Sequence, residues 1–272
     1  MKKYIALFLA LVMIAACFVG CGKKEASDMA AIKKAGKIVV GITDYAPMDY
    51  KDENGEWTGF DAEFARLFAK ELDVEIEFFV IADWGKKFVE LETKNIDCVW
   101  NGFTANTADE DGVQRAEKVD FSYNYMENRQ VVVVKKGSGI TSAADLSGKL
   151  GAAEGGSAGE TYGKSFEGAT IKGFLKQTDC LFEVKSGTAA FCVLDAQLAK
   201  SYCGKGDYAD LEIVEALSSD VEYYAIGFKK GSELTANVNK QLEKLAKDGT
   251  IAKLAEKYGV ANTAITDFAD QK

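Results

Sequence analysis

The 272 residues contain no histidine. That excludes Ser-His-Asp and Cys-His catalytic arrangements, the HExxH zinc site, and the side chain most often used as a general base. An excess of basic charge is missing too. Against 42 Asp and Glu stand 33 Lys and Arg, a net charge of −9. A nucleic-acid partner needs a basic surface to neutralise phosphates, so none is expected. Proline occurs once, at Pro47, where it marks a loop just after the first predicted strand. The six cysteines show no CxxC or CxH spacing, so no metal site is expected, and nothing in the sequence asks for a cofactor. There is no internal repeat and no low-complexity segment.

The apolar share of 47% and the charged share of 28% are those of a globular protein with chain enough for one or two domains. The first twenty residues differ. Lys2 and Lys3 precede a stretch without charge over 4–20, in the order of a signal peptide. It ends in Ala15-Ala16-Cys17 and Val19-Gly20-Cys21, both similar to a lipobox, after which a cysteine is lipidated at its new N-terminus. Cys21 is preferred, because it closes the apolar run and is followed by Gly-Lys-Lys-Glu; Cys17 is the alternative. Residues 1–20 are thus expected to be a lipoprotein signal peptide and 21–30 a tether, holding the protein on the outer face of the cell membrane. Of the other cysteines, Cys98 and Cys192 lie in apolar runs and read as buried thiols. A Cys180–Cys203 bridge is open to an exported protein.

Beyond the tether, strands and helices alternate, the pattern of an α/β protein with mainly parallel sheets. Lys37–Ile42 reads as a first strand. Asn54-Gly55 signals a hairpin turn, and Asp61 reads as the cap of a helix burying Phe64, Leu67, Phe68 and Leu72. Val74–Phe78 and Ile96–Trp100 follow as strands, with a helix face of Trp84, Phe88 and Leu91 between them. Val131–Val134 is a β-branched run typical of a strand covered on both faces. Further strands are expected near 149–153, 190–194 and 211–214, and Leu234–Tyr258 reads as one long amphipathic helix punctuated by Asp248-Gly249.

Six stretches, 45–72, 85–104, 115–125, 151–163, 187–195 and 247–259, together resemble the extracellular solute-binding proteins of family 3, the polar amino-acid receptors of ABC importers. The resemblance covers nearly all of the chain after the tether. It implies a two-lobed α/β periplasmic-binding-protein fold of type II, with the ligand in a cleft between lobes joined by two crossing strands. One lobe would hold 31–127 plus 228–272, and the other 128–227. It also implies a monomer that hands a free amino acid to transporter permease subunits. An enzyme on the same fold, of dehydratase or lyase type, is the alternative, as is a ligand sensor.

A free amino acid presents a carboxylate, an ammonium and a side chain, so its site needs a cation, an anion and a shaped wall. By resemblance Asp195, at the end of an apolar strand, takes the ammonium; a helix cap is the other reading of that residue. Ser157-Ala158-Gly159-Glu160 is a capping box after a glycine-rich turn, and the family uses this loop for the ligand carboxylate. The planar fork of an arginine suits the same carboxylate. Arg115, fixed by the AEKVDFS that follows, is the candidate, provided that Asn106 to Gln114 loops out; Arg129 is a weaker one. Asn101, Gly102 and Thr104 match a loop touching the ammonium and carboxylate, with glycine allowing close approach. Tyr45 and Trp84 match the positions that sandwich the side chain, and Asp44 could read a polar or basic one. Trp100 is wall or core.

Overall fold

The computed structural model describes residues 27–109 and 111–271. The expected signal peptide, the lipobox cysteines Cys17 and Cys21, and most of the tether lie outside them.

The chain enters through α1 (Asp28–Ala35), capped by Ser27 and closed by Gly36, and then β1 (Lys37–Ile42). A hairpin of β2 (Tyr50–Lys51) and β3 (Trp57–Thr58) follows, turning at Asn54-Gly55 as the sequence suggests. Next come α2 (Phe60–Glu71), β4 (Glu75–Val80), a 3-10 turn at Trp84–Lys86, α3 (Lys87–Glu92) and β5 (Cys98–Val99). The short α4 (Arg115–Lys118) leads into β6 (Val119–Phe121). β7 (Met126–Asn128) crosses to the second half. That half comprises β8 (Gln130–Lys135), β9 (Leu150–Glu154), α5 (Ala158–Lys164), β10 (Thr170–Phe174), α6 (Gln177–Ser186), β11 (Phe191–Asp195), α7 (Ala196–Tyr202) and β12 (Leu211–Val214). The return runs through β13 (Glu222–Tyr224) to β14 (Gly227–Lys229), α8 (Leu234–Lys247) and α9 (Thr250–Lys257).

These strands form two five-stranded sheets, ordered β4-β1-β5-β14-β6 and β10-β9-β11-β8-β12. A two-stranded antiparallel ladder, β7 with β13, joins them through the pairs Glu222–Asn128 and Tyr224–Met126. Each sheet is one lobe, and the ladder supplies the two crossing strands. The sheets are mixed rather than mainly parallel: β14 runs against β5 and β6, and β8 against β11 and β12. The reason is the crossing. A strand that returns through the hinge enters its sheet from the opposite end, so it can only pair antiparallel.

Three other expectations change. Gly59, not Asp61, stands at the cap of α2, and Asp61 is buried in its first turn. With φ +122° and room for no Cβ against the Met48 carbonyl, position 59 requires glycine. The expected long C-terminal helix is two, because Asp248 and a left-handed Gly249 end one and start the next. Cys180 and Cys203 are free thiols, as are the buried Cys98 and Cys192. Trp100 belongs to the core, 5.4 Å from the Phe64 ring and 6.2 Å from Phe68.

Candidate functional site

In sheets of this kind ligands collect beyond the carboxyl ends of parallel strands. Thr43 to Tyr45 follow β1, Trp84 follows β4, Trp100 to Thr104 follow β5, Ser157 follows β9, and Asp195 is the last residue of β11. Topology alone therefore gathers candidates scattered over 150 residues at the facing edges of two sheets. Arg115 arrives differently. The 106–114 segment leaves and returns, pinned by an Ala108–Gln114 bridge and by Val113 N–H donating to Asp109 Oδ1 at 2.9 Å, so that Arg115 N–H meets Thr107 O at 3.1 Å.

The Arg115 side chain is 1% exposed. One guanidinium nitrogen donates to Thr104 O at 3.0 Å in the first lobe and another to Gly156 O at 3.2 Å in the second. Its Nε, also buried, finds no partner among the described residues. Burial lowers its pKa to about 10, opposed by the charges of Glu222 and Asp195. Lys87, equally buried, reaches the same Gly156 O at 3.0 Å and Trp84 O at 3.1 Å. Two cations of the first lobe thus converge on one carbonyl of the second, and the lobes touch.

Asp195 faces them from the second lobe. Although it stands at the cap position of α7, its carboxylate makes no cap bond. Instead Oδ1 accepts from Asn128 Nδ2 and Gln130 Nε2, each at 2.7 Å, and Oδ2 from Gln177 Nε2 at 2.5 Å. Burial raises its pKa, countered by these amides and by Arg115. Glu222 accepts at Oε1 from Thr104 Oγ1 at 3.1 Å, Asn128 at 2.6 Å and Gln130 at 2.7 Å.

The remaining candidates divide. Gly102 has φ +55°, and a Cβ there would lie 2.6 Å from Tyr45 Cε1; its N–H donates to Asp61 Oδ2 at 2.7 Å. Tyr45 shares a 2.6 Å hydrogen bond with Tyr224 through the two hydroxyls. Asn101 uses its side chain on Thr43, at 2.6 Å to the N–H and 2.8 Å to the hydroxyl, and so braces the loop rather than opening toward a ligand. Ser157 caps α5 by accepting from Glu160 N–H at 3.0 Å. Trp84 stands edge-on to Phe103 at 5.6 Å, not against Tyr45. Asp44 is exposed, outside the buried cluster, its charge acting on Tyr202 of α7. Arg129 is drawn away to Ser219 O at 2.6 Å.

Lys87, Asn128, Gln130, Glu154, Gln177, Glu222 and Tyr224, all buried, were not among the residues expected from the sequence. A signal existed for some. Glu154 ends β9 as Asp195 ends β11, a carboxylate closing an apolar strand. Gln130 opens β8, and only the antiparallel register Asp195–Gln130 sets that start beside a strand end.

Known proteins share the fold and the family of this chain. The chain is 30% identical to the arginine-binding extracellular protein ArtP of Bacillus subtilis, over 95% of this chain and 98% of that one. It is 30% identical to the L-cystine-binding protein TcyA of the same organism, over 94% and 97%. A solved ancestral arginine-binding protein bound to arginine superposes with a TM-score of 0.74 at 36% identity, covering 82% of this chain and 98% of that one. The profile of the bacterial extracellular solute-binding proteins, family 3, matches residues 38–261, and the chain belongs to that family.

Proposed function

We propose that the protein captures a free α-amino acid outside the cell and delivers it to an ABC transporter. The observation that carries this reading is the pairing of Arg115 and Asp195. They come from opposite lobes, are both buried, and carry the two opposite charges that an amino acid's carboxylate and ammonium would meet. The Arg115 Nε has no partner, and Asp195 spends nothing on its helix. In this reading Arg115, Ser157 and Thr104 receive the carboxylate and Asp195 the ammonium, Tyr45 and Gly102 shape the wall, Asn101 braces the loop beneath them, and Trp84 supports Lys87. Asp44 lies outside this cluster. The relatives' names point to binding rather than catalysis, and to both arginine and cystine.

The lobes, 31–127 plus 228–272 and 128–227, close about the β7–β13 ladder when ligand enters, as hinged proteins do. The protein acts as a monomer tethered through lipid on Cys21, with Cys17 as the alternative. Calorimetric titration of the free amino acids tests the reading: at least one should bind at micromolar concentration with a 1:1 ratio. Failure of every amino acid to bind at millimolar concentration would overturn it. Lipid on the N-terminal peptide is checked by mass spectrometry, where an intact Met1 on the membrane-bound protein would contradict the tether.

A further inference from the structure

The hinge carries a carboxylate beyond the one that an ammonium calls for. Glu222 opens β13, is 7% exposed, and points its Oε1 at Asn128 Nδ2 and Gln130 Nε2. The same two nitrogens serve Asp195 Oδ1. Two carboxylate oxygens sharing two donors cannot lie farther apart than two hydrogen bonds end to end, so these negative groups stand side by side.

Counting charge across the enclosed cleft extends the point. Its buried acids are Glu154, Asp195 and Glu222, while Lys87 and Arg115 are the only buried lysine and arginine among the described residues. The other nearby groups do not restore balance. Tyr45 and Tyr224 are held neutral by burial, and Asp109 is occupied by Lys118. Asp61 and Asp49, behind Tyr45, add only further acid. Burial, with the charge of Asp195, lifts Glu154 to about 8 and Glu222 to about 7, the strain expected of carboxylates enclosed without enough cations.

In the empty cleft Glu154 and Glu222 meet that shortage by keeping protons. An amino acid with a neutral side chain brings one negative and one positive group and leaves those protons in place; one with a positive side chain supplies the missing cation and lets an acid ionise beside it, and burying a charge is tolerable only when it is compensated. We infer that the cleft selects amino acids with a cationic side chain, with Glu222 as the carboxylate that sets this preference. The inference rests on the amino-acid reading above.

The test is titration of the intact soluble protein with L-arginine and L-lysine against their uncharged counterparts L-citrulline and L-glutamine, before and after Glu222→Gln. In the wild type the better cationic ligand should bind at least about 30-fold more tightly than either neutral one, and the substitution should shrink that ratio at least about 10-fold, in line with a lost close charge contribution. Citrulline or glutamine binding within threefold of the better cationic ligand would overturn the inference and leave amino-acid capture standing. Equal loss for charged and neutral ligands in Glu222→Gln would make Glu222 a hinge brace and overturn its role as selector. Binding of no amino acid at all would sink the underlying reading instead. Should Glu222→Gln fail to fold by circular dichroism, the wild-type ratio alone decides the preference.

Discussion

In the first lobe the groups turned toward the cleft are Tyr45, Lys87 and Arg115; Trp84, Phe88 and Phe103 lie beneath the cations with Phe121 behind Phe103, and Tyr45 meets the Tyr224 ring edge-on. In the second lobe they are Glu154, Gln177 and Asp195, standing on an aliphatic sheet of Val131–Val134, Ala152, Cys192 and Leu194. The difference has a physical logic. Aromatic faces stabilise a desolvated cation; the Arg115 guanidinium lies 5.2 Å from the Phe103 centroid, and Lys87 Nζ 4.8 Å from Phe88. A carboxylate gains nothing from such a face and needs N–H donors, which the second lobe and the hinge supply as side-chain amides. Of the charged groups turned toward the cleft, the first lobe thus supplies the cations and the second the carboxylates, and neither offers a zwitterion both partners until they meet.

The comparison can be broken from the acidic side first. Asp195→Asn keeps the shape and removes the charge, and breaking a buried pair costs about 3–5 kcal/mol. Affinity for the preferred amino acid should fall about 100-fold or more, read by calorimetry. The amide nitrogen that replaces one carboxylate oxygen can no longer accept from Gln177, or from Asn128 and Gln130, so the thermal midpoint of the ligand-free variant is read beside the affinity to separate lost hydrogen bonds from lost charge. A loss under threefold would make Asp195 structural.

A change in the first lobe should act through shape instead. Gly102→Ala forces a Cβ into Tyr45 and Tyr224 at a φ of +55°. Overpacking and the unfavourable backbone together should lower stability by about 2 kcal/mol in urea titration, with affinity falling as the loop shifts. A variant as stable as the wild type would show that the loop has slack.

The smallest effect concerns pH and bears on the anionic lobe and hinge. Burial raises Glu154 to about 8 and Glu222 to about 7, so the folded protein holds protons that the unfolded chain has released. Their stabilising share is full below the unfolded carboxylate range, near pH 4.5, and is lost as pH rises through about 7 to 8. The ligand-free thermal midpoint should fall across this window by about 2–4 °C, near 1 kcal/mol for a chain of this size. It stays small because an opening cleft rehydrates the acids. Asp109 and Asp120, whose pKa values are lowered by Lys118 and Lys230 against burial, act oppositely and only in acid. A rising midpoint from pH 5 to 8 would contradict the assignment of buried acids.

Much of this was legible in the sequence. The first strand is found at Lys37–Ile42 and the hairpin at Asn54-Gly55, because each depends on local preference. Asp195 was singled out by the resemblance, at the end of an apolar strand, and the structure buries it there. Arg115 could be picked out across its insertion because AEKVDFS anchors it. Lys87 and Glu222 were not legible, since a lysine opening a helix or a glutamate before two tyrosines resembles any solvated residue.

The sequence alone settled most of the longer strands and helices, since hydrophobic period and turn chemistry act over a few neighbouring residues. The absence of histidine by itself closed only the histidine-dependent arrangements to the chain. Only the tertiary structure decided which polar residues meet. Asn128 and Glu222 are 94 positions apart, and Gln130 and Asp195 are 65 apart. Their contact follows from the antiparallel hinge and the β8–β11 register. Such charges carry no local signature, because burial and partnership, which give them their properties, are created only when the two sheets come together.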